Sequence, residues 1–275
     1  MISNVKKIEI KNLIYNGDAN KLRHELESGV KLNDLKSPFE DFLIESSLLG
    51  NCDILRILIE YNENINYCCP IRHESAACIA SQHDRLDVLK ILHESGADFG
   101  LIKDVKSTPL MFSIKSNSSN CALWMIKNKI TINVCDRFGV SPLHVAAYMG
   151  NLDLGLKLIA KRAKINRVAK GSLNHQTPLI DSIHCKNYDF TEMLIKKGAN
   201  VNLGSYDGLH FPITKAAETY NGRILQLLID SGVDLDAVTG AIESAIAICE
   251  NNYDIENAKL LKNSIIKKSS YLRVV

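Results

Sequence analysis

One period constrains this chain more than any other feature. Pro109, Pro142, Pro178 and Pro212 each open an apolar segment, at spacings of 33, 36 and 34 residues. A second marker, the residue ending a short Gly/Ala-rich turn, falls at Asn33, Asn66, Gly100, Asn133, Asn166, Asn202 and Asp236. Its gaps are 33, 34, 33, 33, 36 and 34. Two unrelated markers thus keep one period over most of 275 residues. A chain of this kind repeats one small unit, and each unit buries its apolar face on the next.

The unit is clearest at residues 136–168. Ser141 is a good helix N-cap, and Pro142 after it needs no backbone donor there. Leu143, Ala146 and Ala147 give a small apolar helix face. Gly150 and Asn151 tolerate turn geometry and break the chain. Asp153 then begins a second helix, in which Leu154, Leu158 and Ile159 follow helical spacing. The reading is two short antiparallel helices and a turn, neither helix long enough to be stable alone.

These residues resemble the ankyrin repeat. SPLHVAAYMGNLDLGLKLI, from Ser141, is close to that family's T-P-L-H-x-A-A-x-x-G pattern. Gly198-Ala199-Asn200-Val201-Asn202 and Gly96-Ala97-Asp98 resemble its closing G-A-D-V-N, and Ser107–Leu110 and Gln176–Leu179 repeat the opening. The resemblance covers roughly residues 12–262. It implies an all-α ankyrin-repeat solenoid of seven to eight helix-turn-helix units with short finger turns and terminal caps, in one domain over 1–275. The units fall at about 5–35, 36–68, 69–102, 103–135, 136–169, 170–204, 205–238 and 239–268. The first unit lacks the Pro-Leu-His opening and the last has Ser244–Ile248 in its place, so both read as caps. Phe42 stands where Pro142 does, and Cys78 where His144 does. The longer interval between Asn166 and Asn202 places extra residues near Lys170–His175, in a finger.

Composition narrows the function classes. Thirty-three Lys+Arg against 31 Asp+Glu leaves +2, so no overall charge excess announces a nucleic-acid or membrane partner. The apolar runs are far below the roughly 18 residues of a spanning helix. The first twenty residues have no apolar signal core. Eight cysteines without a secretory signal predict reduced thiols in the cytoplasm.

No motif points to an enzyme. There is no G-x-S-x-G elbow, no phosphate loop of the G-x-x-x-x-G-K-[ST] type and no dinucleotide fingerprint. The resemblance gives His144 a structural role, bonding within the opening turn. Cys68, Cys69, His73, Cys78 and His83 are residue types that suit zinc. Their spacing forms no C-x2-C pair and the repeat register separates them, so neither a metal site nor a cofactor is expected. Trp124 shares the register of Ile57, Ile91 and Leu227 and is expected to pack. Lys157, in that same place, is expected to snorkel outward. Lys161, Arg162, Lys164, Arg167 and Lys170 form the densest basic run, read first as a solvated helix end complementing the macrodipole and, as the alternative, as a basic rim contacting an acidic partner.

The resemblance implies a concave face formed by finger turns and the exposed sides of first helices. The residues freed from core duties there are the candidate partner-binding set. They are Arg72, His73, Gln82, His83, Lys103, Lys106, Lys115, Arg137, Phe138, Tyr148, Met149, Asn174, His184, Tyr206, Asp207 and Glu218, with Thr219 beside the last. Aromatic and Arg side chains are the types on which protein partners dock. The expectation is a non-catalytic, cytoplasmic protein-binding module without nucleic-acid partner or membrane insertion, monomeric or in complex with its partner. An inhibitor or immunity protein of a toxic enzyme leads. A host-directed effector or adaptor is the alternative, then a metal-binding protein using the Cys68–His83 cluster or a purely structural spacer.

Overall fold

In a computed structural model, the described residues are 4–32, 42–61, 64–70, 73–100, 107–170, 176–205, 210–234 and 239–271. They form sixteen helices and no named strand. The chain divides into two compact units, Met1–Asp136 and Arg137–Val275. The first holds α1 (Asn4–Asn16), α2 (Ala19–Glu27), α3 (Phe42–Leu49), α4 (Cys52–Glu60), α5 (Ala76–Gln82), α6 (Leu86–Glu94), α7 (Pro109–Lys115) and α8 (Ser119–Lys127). The second holds α9 (Pro142–Met149), α10 (Leu152–Ala160), α11 (Pro178–His184), α12 (Tyr188–Lys196), α13 (Pro212–Glu218), α14 (Gly222–Asp230), α15 (Thr239–Asn251) and α16 (Ile255–Tyr271).

Within each unit the odd-numbered helix of a pair packs on the odd-numbered helix of the next pair, and even on even. The inner helices have only seven to nine residues, too few to hold without their neighbours. The cores are rows of aliphatic side chains: Ile54, Leu55 and Leu58, then Val88, Leu89 and Leu92, in the first unit. In the second they are Leu154 and Leu158, Phe190 and Leu194, then Ile224, Leu225 and Leu228. One exchange of volume is explicit. A Cβ on Gly155 would come within 2.5 Å of the Phe190 ring, so the missing side chain of one repeat makes room for the large one of the next.

Hydrogen bonds explain the second period. The Asn66 carboxamide oxygen accepts from the Asp98 N–H at 2.7 Å, Asn166 from Asn200 at 2.8 Å, and Asn202 from Asp234 at 2.8 Å. The second marker is mostly Asn because its side chain ties one repeat to the backbone of the next. The prolines recur at the first helical position, behind Thr108, Ser141, Thr177 and Phe211.

The inter-helix turn repeats a third marker, unnoticed in the sequence. Gly17, Gly50, Asp84, Asn117, Gly150, Lys186, Tyr220 and Tyr253 all have positive φ, between +52° and +80°. Finger stems are joined by bonds from Cys69 N to Glu74 O (3.0 Å), Ala169 N to Gln176 O (2.7 Å) and Ser205 N to His210 O (2.7 Å). The stem at 169 and 176 encloses two more residues than the other two, which accounts for the long interval there.

Three expectations need correction. Helix α10 begins at Leu152, not Asp153, because Asn151 is its N-cap and accepts from Leu154 N at 3.1 Å. Trp124 is half-buried rather than a core residue and meets His93 edge-on at 5.4 Å, while Cys121, Ala122, Met125 and Ile126 fill the core of α8. Thr219 is buried, its hydroxyl donating to Ala216 O. Lys157 does point outward, paired with Asp153 one turn earlier. The end helices α1, α15 and α16 are longer, at 13, 13 and 17 residues. Their faces are not wholly polar: Val5, Ile8 and Ile266 are exposed.

Candidate protein-binding surface

In α9 the opening is built by Ser141 and His144. The Ser141 N–H donates to His144 Nδ1 at 3.1 Å and the Ser141 hydroxyl lies 2.7 Å from the same nitrogen. His144 is fully buried. The side chains after it lead outward. Tyr148 is 40% exposed and Met149 48% at the end of α9, and Tyr148 stacks on exposed His184 at the end of α11 (centroids 6.3 Å, 27°). Phe138, 38% exposed, carries the Arg137 guanidinium 4.6 Å from its ring centroid. Four predicted residues of the second unit therefore present apolar or aromatic surface to solvent.

Glu218 differs. It pairs with Lys215 at 2.5 Å and lies 3.8 Å from His210, so its charge is already engaged within the repeat. The first unit holds His73, Gln82, His83 and Lys115. His73 sits in a finger stem with φ +56°, its N–H donating to Cys69 O at 2.7 Å. The Gln82 carbonyl accepts from the Ser118 hydroxyl, and exposed His83 ends α5. The Lys115 side chain reaches solvent, yet burial around it pushes its pKa down, opposed by the Asp136 charge. Arg72, Lys103, Lys106, Asn174, Tyr206 and Asp207 lie outside the described residues.

The cysteine and histidine cluster does not assemble. Cys68 and Ser75 form an isolated bridge in the finger stem, whereas Cys78 is buried in α5 with the Ser75 hydroxyl 3.5 Å from its sulfur. Burial pushes the Cys78 thiol up to about 11, the behaviour of a small buried apolar group. Among the described residues, no three His, Cys, Asp or Glu are grouped so that they could hold a metal ion. Among them, too, no helix is long and apolar enough to cross a membrane.

Two exposed aromatics at inter-helix turns were missed. Tyr220 is 54% exposed and Tyr253 90%, both in left-handed turn positions. Tyr220 occupies the register of Gly150, so alignment of the turns could have found it. A bulky residue with positive φ is uncommon and carries strain.

Known proteins point the same way. A family model described as ankyrin repeats (3 copies) matches residues 43–136, 76–169 and 131–205. An ankyrin repeat protein of Rickettsia felis is 29% identical over 166 residues, 58% of this chain and 70% of that protein. The dauer abnormal formation protein 25 of Caenorhabditis elegans is 32% identical over 101 residues, 37% of this chain and only 26% of its own length. Several other curated relatives are likewise matched over about a third of their length or less. The crystal structure of the human ASB11 ankyrin repeat domain superposes with a TM-score of 0.59 at 24% identity, covering 74% of this chain and 91% of that one. The repeats indicate a protein–protein interaction module on a typically non-catalytic scaffold, and with more than half of its length matched, the chain belongs to the ankyrin-repeat family.

Proposed function

We propose that the second unit binds a protein partner through Phe138, Arg137, Tyr148, Met149 and His184, with Tyr220 at the turn edge. The observation that supports this most is the Tyr148–His184 stack, which keeps two rings of adjacent repeats together at the surface. Rings held in place lose little freedom on docking. The binding is non-catalytic and takes place in the cytoplasm, and the partner covers the first-helix side. The finer reading is an inhibitor or immunity protein that blocks an enzyme; recruitment of a cellular protein is the alternative.

The test is affinity for the stoichiometric partner recovered from the native source. Phe138→Ala and Tyr148→Ala should each cost at least about 2 kcal/mol of binding, with melting temperature nearly intact. Normal binding by both variants, together with loss of binding on changing exposed Leu156 of α10, would place the partner on the second helices instead. Recovery of no stoichiometric protein would count against the reading as a whole.

A further inference from the structure

The overall +2 conceals a strongly basic segment. Residues 137–170 hold seven Lys/Arg and a single carboxylate, Asp153, for +6, whereas 171–204 are balanced and 205–238 carry −3. The α10 macrodipole accounts for part of this. Its influence fades within the last turn, so it covers Lys161 and Arg162 but not Lys164, Arg167 and Lys170, which lie further along the chain.

The loop that carries these three is held from both sides. Ala163 and Ala169 are buried. Between them Asn166 accepts from the Asn200 N–H at 2.8 Å and donates to Gly198 O at 3.2 Å. Lys164 and Lys170 are exposed and Arg167 half-exposed. A Cβ placed on Gly139 would lie 3.1 Å from the Lys170 nitrogen, so the finger bearing Arg137 and Phe138 packs directly on the start of the next one. The cations are thus presented on fixed backbone beside an exposed ring.

We propose that loop 163–170, with Arg162 and Arg137, docks a short acidic protein segment that also carries apolar side chains. This rests on the reading of the second unit as a protein-binding surface and names the chemistry of its partner. A protein segment fits better than nucleic acid or a membrane. A long polyanion following the repeats would run from the +6 segment through a balanced repeat into the −3 one. Moreover, Phe138 and Met149, exposed in the same repeat, offer contacts to apolar side chains rather than to phosphates.

The test uses the full chain and a fluorescein-labelled peptide of Glu and Tyr, about twelve residues long, read by anisotropy. A single-stranded oligonucleotide of equal charge and phosphatidylserine vesicles serve as competitors. The peptide should bind, and binding should weaken as salt rises from about 50 to 300 mM, because exposed charges are screened. The double variant Lys164→Glu/Lys170→Glu should lose about tenfold or more in affinity, while Lys127→Glu/Lys129→Glu in the first unit should not change it. Circular dichroism checks that helicity is kept, and Lys164→Gln/Lys170→Gln gives a milder loss should the reversal disturb folding. Unchanged peptide affinity in the folded variants, or tighter binding of the oligonucleotide or vesicles, would overturn the proposal. If Tyr148→Ala abolishes binding of the native partner but Lys164→Glu/Lys170→Glu does not, the protein-binding reading stands and the acidic chemistry falls.

Discussion

The fifth and seventh repeats trace the same backbone with different chemistry. Both cap their second helix with an Asn, Asn151 and Asn221, each accepting from the N–H three residues on at 3.1 Å. Both bury a leucine at the same register, Leu158 and Leu228. Their openings differ. In α9 the N-cap N–H is received by His144, whereas in α13 the Phe211 N–H is received by the Thr214 hydroxyl at 2.9 Å, which in turn donates to Phe211 O. Their turns differ too, with Gly150 at φ +68° and Tyr220 at φ +55°. The repeat therefore demands a buried leucine and an acceptor for one N–H, and leaves open which side chain supplies it.

The largest effect should be common to both repeats. Leu158→Ala and Leu228→Ala each open a cavity among fully buried neighbours and should cost about 2–5 kcal/mol of stability, measured by urea denaturation. Similar costs would support equivalent scaffolds. A cost several-fold smaller for Leu228→Ala would mean that the seventh repeat packs more loosely than its burial implies.

The openings come next. His144→Ala leaves the Ser141 N–H without its acceptor, a loss of about 1–3 kcal/mol. His144→Thr should recover much of this, because Thr214 already does that work in the seventh repeat. If Thr restores nothing, the imidazole is needed for its volume or its second nitrogen, and the two openings are not equivalent.

These contrasts show what was legible in the sequence. Helical pairing and the register of Pro142 and Asn166 could be read because each depends on local rules of capping, turn residues and hydrophobic spacing, whereas the role of His144 came from the family resemblance. Trp124 could not be placed, since its register marks a position that is core in α4 and α6, whereas its own ring lies over His93, set by a tertiary contact. Gly155 has no meaning until Phe190 is seen beside it. For the surface, Phe138 stood out as an aromatic residue in a turn where folding asks for none, and Tyr148 by its place after the helix-opening motif. Tyr220 was hidden because the turn register was followed through glycine rather than through backbone conformation. The basic run was legible by its spacing, but that its loop is held by Asn166 and by buried Ala163 and Ala169 depends on contacts with the next repeat.

The smallest effect on stability, and the sharpest separation of folding from binding, belongs to the turn. Replacing Tyr220 by Gly removes the left-handed strain of a non-glycine residue, a cost of about 1–2 kcal/mol. It also gives the unfolded chain more freedom, worth about 0.4–1 kcal/mol in the opposite sense. The ring is 54% exposed, so little burial is lost with it. Tyr220→Gly should leave the melting temperature unchanged or slightly raised. The reverse holds in the fifth repeat. Gly150→Ala meets both a positive φ and the Asn187 carboxamide, within 2.9 Å of the new Cβ, while Asn187 itself donates to Ala147 O. It should destabilise by about 1–2 kcal/mol. If Tyr220 is kept at that position for a partner, Tyr220→Gly will weaken binding of the native partner while the protein becomes no less stable. A variant that loses stability and binds normally would show that the ring packs for the fold, and Tyr220 would leave the binding surface.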